Sequence, residues 1–232
     1  MRKLILCLFF SLFAASGFSQ TIIQNSGWLT LINNTKFNGK WGAALDVQFR
    51  SADNWSYIRN VLVRPGITYY LSDKSNITAG YLYANTHNKL ATGSSDLLEQ
   101  RIWEQFIYAH KIRSSFATHR ARLEQRFIET ATDDIFAQRF RYFFRVMKPL
   151  AHYKDSFNEG IFLALQNEVF LNIQNKDLLN QSVFDQNRFY VALGYRLSKK
   201  LDLEAGYLNQ YINNVGKNTS NRVVQLAVYT RF

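Results

Sequence analysis

The sequence predicts an all-β protein, an antiparallel up-and-down transmembrane β-barrel of about twelve strands, with ten as the alternative count, behind a cleaved signal peptide. Three observations carry that expectation. First, residues His119 to Val146 place Arg120, Arg122, Glu124 and Arg126 on one parity and Ala121, Leu123 and Phe127 on the other. After Asp133-Asp134, Arg139, Arg141 and Arg145 alternate with Phe140, Tyr142, Phe144 and Val146. A period of two is a β-strand. The apolar face needs oil or a core and the arginine face needs water or carboxylates, and a barrel that is apolar outside and polar inside supplies both. Second, several alternating segments run to about 12 to 16 residues, longer than the usual globular strand of roughly 5 or 6 and long enough to cross a bilayer at a tilt. Third, aromatic residues recur near segment ends, at Trp28, Trp41, Trp55, Tyr57, Tyr81, Tyr83, Tyr207 and Tyr211, as interfacial girdles require. A soluble lipocalin-like barrel would turn the same faces the other way round.

The opening MRKLILCLFFSLFAASGFSQ has a basic start at Arg2 and Lys3, an apolar run from Leu4 to Ala15 and small residues at Gly17 to Ser19. This reads as a secretory signal peptide over residues 1–19, leaving 20–232 as a single barrel domain. Cys7 lies too early in the apolar run for a lipoprotein signal. It is the only cysteine, so disulfide, thiol and thiolate-metal chemistry leave with the peptide. The formal charge of +11 falls to +9 without Arg2 and Lys3, which favours anionic surfaces such as lipopolysaccharide phosphates. Export disfavours nucleic acid as the partner. Beyond the leader, no run of about 18 apolar residues could form a membrane helix.

The strands are expected in order. Trp28–Thr35 and Trp41–Arg50 flank Asn38-Gly39, a dipeptide suited to a two-residue turn with positive φ at both positions. Tyr57–Leu71 follows, and Pro65 within it predicts a bulge. Ser72–Ser75 turns into Ile77–Ala84, and Asn85–Asp96 reads as a long polar loop. Leu98–Ile112 carries Glu99, Arg101 and Gln105 on one parity, but Glu104 falls among Ile102, Phe106 and Tyr108, which predicts a second bulge. After the Arg113–Ser115 turn comes the arginine hairpin, then a connection over Lys148–Glu159. Ile161–Gln174, a loop at Asn175–Gln181, Arg188–Leu197, a turn at Ser198–Lys200 and Leu201–Ile212 follow. Asn213–Ser220 is a loop, and the last strand sets Val224, Leu226, Val228 and Phe232 against Gln225, Ala227, Tyr229 and Arg231. These segments number eleven, whereas bacterial single-chain barrels use even counts. Trp28–Thr35 is the odd one, either paired with a twelfth strand or laid against the barrel end.

A final aromatic behind alternating apolar residues marks Phe232 as the signal read by the barrel assembly machinery. The stretches EQRIWEQF (Glu99–Phe106), HRARLEQRF (His119–Phe127), QRFRYFFR (Gln138–Arg145), NEVFLN (Asn167–Asn172), QNRFYVALGYRLS (Gln186–Ser198) and LEAGYLNQ (Leu203–Gln210) are similar to a domain-of-unknown-function family. It comprises outer-membrane barrel proteins from Gram-negative bacteria, of Bacteroidota type, and the resemblance covers nearly the whole mature chain. It implies a barrel in the outer membrane, and since that family has no established activity it implies no catalytic residue and no cargo.

Catalysis would need an activated nucleophile or paired acids. Ser114 or Ser115 with His110 or His119 is the nearest arrangement, but no G-x-S-x-G, H-E-x-x-H or C-x-x-C occurs and no two histidines stand at i,i+2. No cofactor and no metal are expected. Gly80, Gly194 and Gly206 sit within strands, where a missing side chain lets an aromatic pack. The remaining candidate is the lumen, expected to be lined by Arg101, Arg120, Arg122, Arg126, Arg139, Arg141, Arg145, Arg188 and Arg196 against Glu99, Glu124, Glu168 and Glu204. Two readings stay open for a monomer surrounded by outer-membrane lipid and lipopolysaccharide. One is a narrow passive channel for small anionic or polar solutes. The other is a non-conducting barrel that presents its loops, its interior closed by Arg–Glu pairs. A lipid-modifying enzyme is the third.

Overall fold

A computed structural model of the protein describes residues 21–90, 93–130, 133–150 and 156–232. The expected signal peptide and Cys7 lie outside them. Eleven strands close into one barrel: β1 (Thr21–Lys36), β2 (Trp41–Ala52), β3 (Tyr57–Tyr70), β4 (Ser75–Leu90), β5 (Gly93–Ile112), β6 (Ser115–Ile128), β7 (Ile135–Pro149), β8 (Gly160–Gln174), β9 (Phe184–Ser198), β10 (Leu201–Ile212) and β11 (Asn218–Arg231). Each strand pairs antiparallel with its sequence neighbour, and a short 3-10 turn at Lys176–Leu178 lies between β8 and β9. No helix among the described residues is long and apolar enough to cross a membrane.

Among the described residues the count is eleven, so the expected even number gives way. Alternation through an odd number of strands leaves the first and last running the same way, and the seam between β1 and β11 is accordingly parallel, in unbroken register from Thr21↔Asn218 to Asn34↔Arg231. The segment left over in the sequence reading is therefore a full wall strand with two partners. Side chains lock the seam as well: Ser26 Oγ donates to Asn221 Oδ1 at 2.9 Å and Asn33 Nδ2 to Thr230 Oγ1 at 2.8 Å. Phe232 adds backbone bonds, its N donating to Asn34 O at 3.0 Å and its O accepting from Lys36 N at 2.6 Å. A second consequence is that β1 begins at one end of the barrel and β11 finishes at the other.

Parity decides the two faces. Phe106, Tyr142, Leu165, Leu193 and Leu226 are exposed on the outer wall, while Arg122, Arg139, Arg141, Glu168 and Glu204 are buried within. The Phe140, Tyr142 and Phe144 side thus points away from the interior that holds Arg139 and Arg141. Trp28 departs from the girdle expectation. It shares parity with Ser26 and Thr30, faces inward and is buried, whereas Trp41, Tyr81, Tyr83 and Tyr207 are exposed outside.

Local expectations fare unevenly. Pro65 stays in register opposite Leu45, and the bulge falls at Arg59, where Arg50↔Asn60 gives way to Ser51↔Ile58. Proline's missing N–H costs a ladder bond, and the β3–β4 pairing skips Arg64 and Pro65 without changing register. Glu104 needs no bulge either: β5 pairs continuously with β4 and β6, and the carboxylate simply lies on the outer wall, accepting from Gln125 Nε2 at 3.1 Å. Asn85–Asp96 is mostly strand. The hairpin runs on from Asn85↔Leu98 to Leu90↔Gly93, with His87 Nδ1 and Asp96 Oδ1 at 2.8 Å. Past the apolar zone both faces are polar, so the alternation that reveals a strand vanishes. At Asn38-Gly39 neither residue takes a positive φ; Asn38 Oδ1 instead accepts from Lys40 N and Trp41 N.

Short turns at 37–40, 71–74, 113–114 and 199–200 gather at one end. The β7–β8 connection shares that end and sends Phe157 inward. Its ring meets Phe162 edge-on at 6.1 Å, within an apolar cluster that also holds Trp28, Tyr190 and Leu208. Inward glycines make room for such rings: a Cβ on Gly80 would fall 2.5 Å from Trp103 Cζ2, and one on Gly194 would overlap Phe162.

Candidate functional site in the barrel interior

The inward faces of β5 to β10 bring most of the expected residues into one network. Glu124 on β6 is fully buried. Its Oε2 accepts from Arg139 Nε at 3.0 Å and Nη2 at 2.6 Å, its Oε1 accepts from Arg141 Nη1, and Arg101 Nη1 stands 3.6 Å away. Glu168 on β8 takes Arg120 Nη2 at 2.7 Å and Arg141 Nε and Nη2 at 2.9 and 2.7 Å. Glu99 is bidentate to Arg101, at 2.8 and 2.7 Å, and also accepts from Arg126. Glu204 holds Arg145, and Asp202 holds Arg196 through Nε at 2.7 Å and Nη2 at 2.9 Å. A carboxylate taken out of water is costly unless fork-shaped donors surround it, and these arginines supply them.

Aromatic rings carry the cations that carboxylates do not fully surround. Phe170 lies under Arg139, Arg141 and Arg188 at 5.1, 4.3 and 4.6 Å, and Trp103 under Arg122 at 4.5 Å. Arg122, directly opposite Arg141 in register, donates to Gln105 Oε1 at 3.1 and 2.6 Å.

Further charged groups join that the sequence reading did not name as site residues: Asp46 paired with Arg64, Asp185 at 2.7 Å from Arg139, Asp202 with Arg231, and Arg50. Asp46, Arg50 and Arg64 share the inward parity of their strands, a signal sufficient to find them. Asp185 lay before the expected start of its strand. The network leaves space: a cavity of about 330 Å³ is lined by Trp28, Arg64, Arg120, Arg141, Arg145 and Arg188 among others, and one of about 200 Å³ by Trp28, Arg50, Arg59 and polar residues.

The Ser–His candidates lie elsewhere, on the outer wall beside the Ile112–Ser115 turn. His110 and His119 stack at 5.2 Å, His119 Nδ1 meets Tyr142 hydroxyl at 2.8 Å, and Ser114 Oγ accepts from Lys148 Nζ. Among the described residues no three metal-ligating side chains converge.

A family model described as a protein of unknown function, DUF2490, matches residues 25–221. The chain belongs to the DUF2490 family. It is also 27% identical over 184 residues to an uncharacterized protein of Methylorubrum extorquens, covering 77% of this chain and 76% of that one. Among solved structures, a NanC porin is a distant likeness at a TM-score of 0.48 and 12% identity, over 84% of this chain and 92% of the other. The DUF2490 match runs from β1 into β11 and takes in every charged interior residue named above except Arg231.

Proposed function

We propose that the protein is a monomeric outer-membrane barrel through whose arginine-lined interior small anionic solutes pass. The observation that carries this is the pairing of an apolar outer wall with an interior in which guanidinium groups outnumber carboxylates. A wall of exposed leucine, isoleucine and phenylalanine fits lipid tails and outer-membrane lipopolysaccharide. The surplus of interior positive charge attracts anions and repels cations. In this reading Phe232, at the parallel seam, is the residue taken up by the assembly machinery. The test is a planar bilayer holding the purified folded chain. Discrete current steps with a reversal potential on the anion side of zero in a salt gradient are expected, and a silent bilayer would end the channel reading.

One feature favours the second reading, a non-conducting barrel that works through its loops. Phe157 and Phe162 lie in the apolar cluster at the short-turn end of the interior, and Arg–Glu pairs reach across neighbouring strands, as far as from Arg145 on β7 to Glu204 on β10. Silent bilayers from heat-modifiable, correctly folded protein would select it.

A further inference from the structure

This inference rests on the anion-passage reading and locates where the anion is held. Three cavity-lining arginines, Arg50, Arg59 and Arg188, have no carboxylate oxygen within 4 Å among the described residues, and two of them, Arg50 and Arg188, stand against the Trp28 ring. Arg50 donates Nε, at 3.1 Å, and also Nη2 to Gln48 Oε1, and lies 3.9 Å from the centre of the Trp28 ring. Arg188 donates Nη2 to Gln186 Oε1 at 3.2 Å and stands 5.3 Å from the same ring. Arg188 is directly opposite Glu168 in register, yet Glu168 Oε1 takes Arg120 and Arg141 instead. Arg188 Nε is buried without a hydrogen-bond partner, as are Arg64 Nε and Arg122 Nη1. A cation held out of water with open donors is a costly arrangement that a counter-ion from solution relieves.

Trp28 borders both cavities. The inner one sets five arginines against Asp46 and Glu168. The one toward the loop end contains Arg50 and Arg59 and no carboxylate. Arg188 lines the inner cavity and Arg50 the one toward the loop end, with Trp28 shared by both.

We infer that Arg50, Trp28 and Arg188 form a binding site for the oxyanion group of a small carboxylate- or phosphate-bearing solute. The indole ring sits against the Arg50 guanidinium, and because Nε and Nη2 share the single oxygen of Gln48, the end-on Nη1–Nη2 edge is the one left to meet an oxyanion. Lysine could not do the same, because its ammonium is a point charge without a fork. The inner cavity, near the lower end of small-molecule pockets at roughly 300 Å³, admits a small organic acid or phosphate ester and no polymer.

The test is an equilibrium titration of the full folded chain in detergent micelles, at constant ionic strength in chloride, with inorganic phosphate in one arm and citrate in the other. Saturable binding is expected, and the tighter arm identifies the oxyanion. Arg50→Gln and Arg188→Gln should each weaken it tenfold or more, while Lys199→Gln at the exposed turn leaves it unchanged. Should a glutamine variant fail to fold, Arg50→Lys and Arg188→Lys decide: at least threefold weaker binding supports the site, and unchanged binding overturns it. Absence of saturable binding to the wild type in both arms also overturns it. Because binding is read without current, conducting bilayers with no anion binding would end this site alone, and binding with silent bilayers would end the channel alone.

Discussion

Replacing Glu124 by glutamine should be among the most damaging single-atom changes in this molecule. Glu124 is fully buried and accepts hydrogen bonds from Arg139 and Arg141. Glutamine keeps the shape but turns one acceptor oxygen into an N–H₂ group that faces a guanidinium, donor against donor. Removing one partner of a buried ion pair costs about 3–5 kcal/mol. Arg139 retains Asp185 at 2.7 Å and Arg141 retains Glu168 at 2.7 Å, so the lower figure applies, about 3 kcal/mol. With a urea slope of about 1–3 kcal/mol/M, the unfolding midpoint in lipid vesicles should fall by about 1–3 M. The control is Asp177→Asn, since the Lys176–Asp177 pair is largely exposed and such pairs contribute at most about 1 kcal/mol. The assay follows the fraction of folded, faster-migrating protein against urea. Equal midpoints for Glu124→Gln and Asp177→Asn would refute the view that the interior is held together by desolvated ion pairs.

A closed barrel should resist detergent until heated, so an unboiled sample should run ahead of a boiled one on a gel; co-migration would argue against closure. Glu104→Leu should stabilise the folded state in lipid by about 1 kcal/mol, since a lipid-facing carboxylate is unfavourable and costs less than the roughly 2–4 kcal/mol of a basic residue at mid-depth; a loss of stability would mean that something covers Glu104. Gly80→Val should lower the urea midpoint by the equivalent of about 1–3 kcal/mol through overpacking against the Pro65 carbonyl oxygen and Trp103, and an unchanged midpoint would contradict this close approach. The odd strand count puts the start of β1 and the turn at 199–200 at opposite ends. In intact cells an impermeant maleimide should therefore label Thr21→Cys but not Lys199→Cys; equal labelling would contradict the parallel seam.

Most of the wall was legible in the chain because a strand with an apolar outer face and a polar inner face must alternate, and alternation is a local property. Arg139, Phe140, Arg141 and Tyr142 declare their faces with no knowledge of their partners, and Leu201–Ile212 has the same bounds in sequence and structure. The same logic failed where the two environments stop differing. Residues 85–90 and 93–96, beyond the apolar zone, are mostly polar on both sides and read as loop although they pair across the hairpin. Trp28 read as a girdle residue because aromatic character says nothing about which side of the wall it occupies.

Closure and charge pairing required the three-dimensional arrangement. Nothing local to Thr21–Lys36 says that it runs parallel to a strand almost 200 residues away, and only the direction imposed by ten preceding reversals makes that seam necessary. Nor does composition say which arginine meets which carboxylate. Glu168 stands opposite Arg188 yet bonds Arg120 and Arg141, because side-chain reach and the competition among neighbouring cations settle the pairing across strands. An alternating pattern fixes which face a residue occupies. Which cations are left without a carboxylate depends on the curvature that brings β2, β7, β8 and β9 around a common interior.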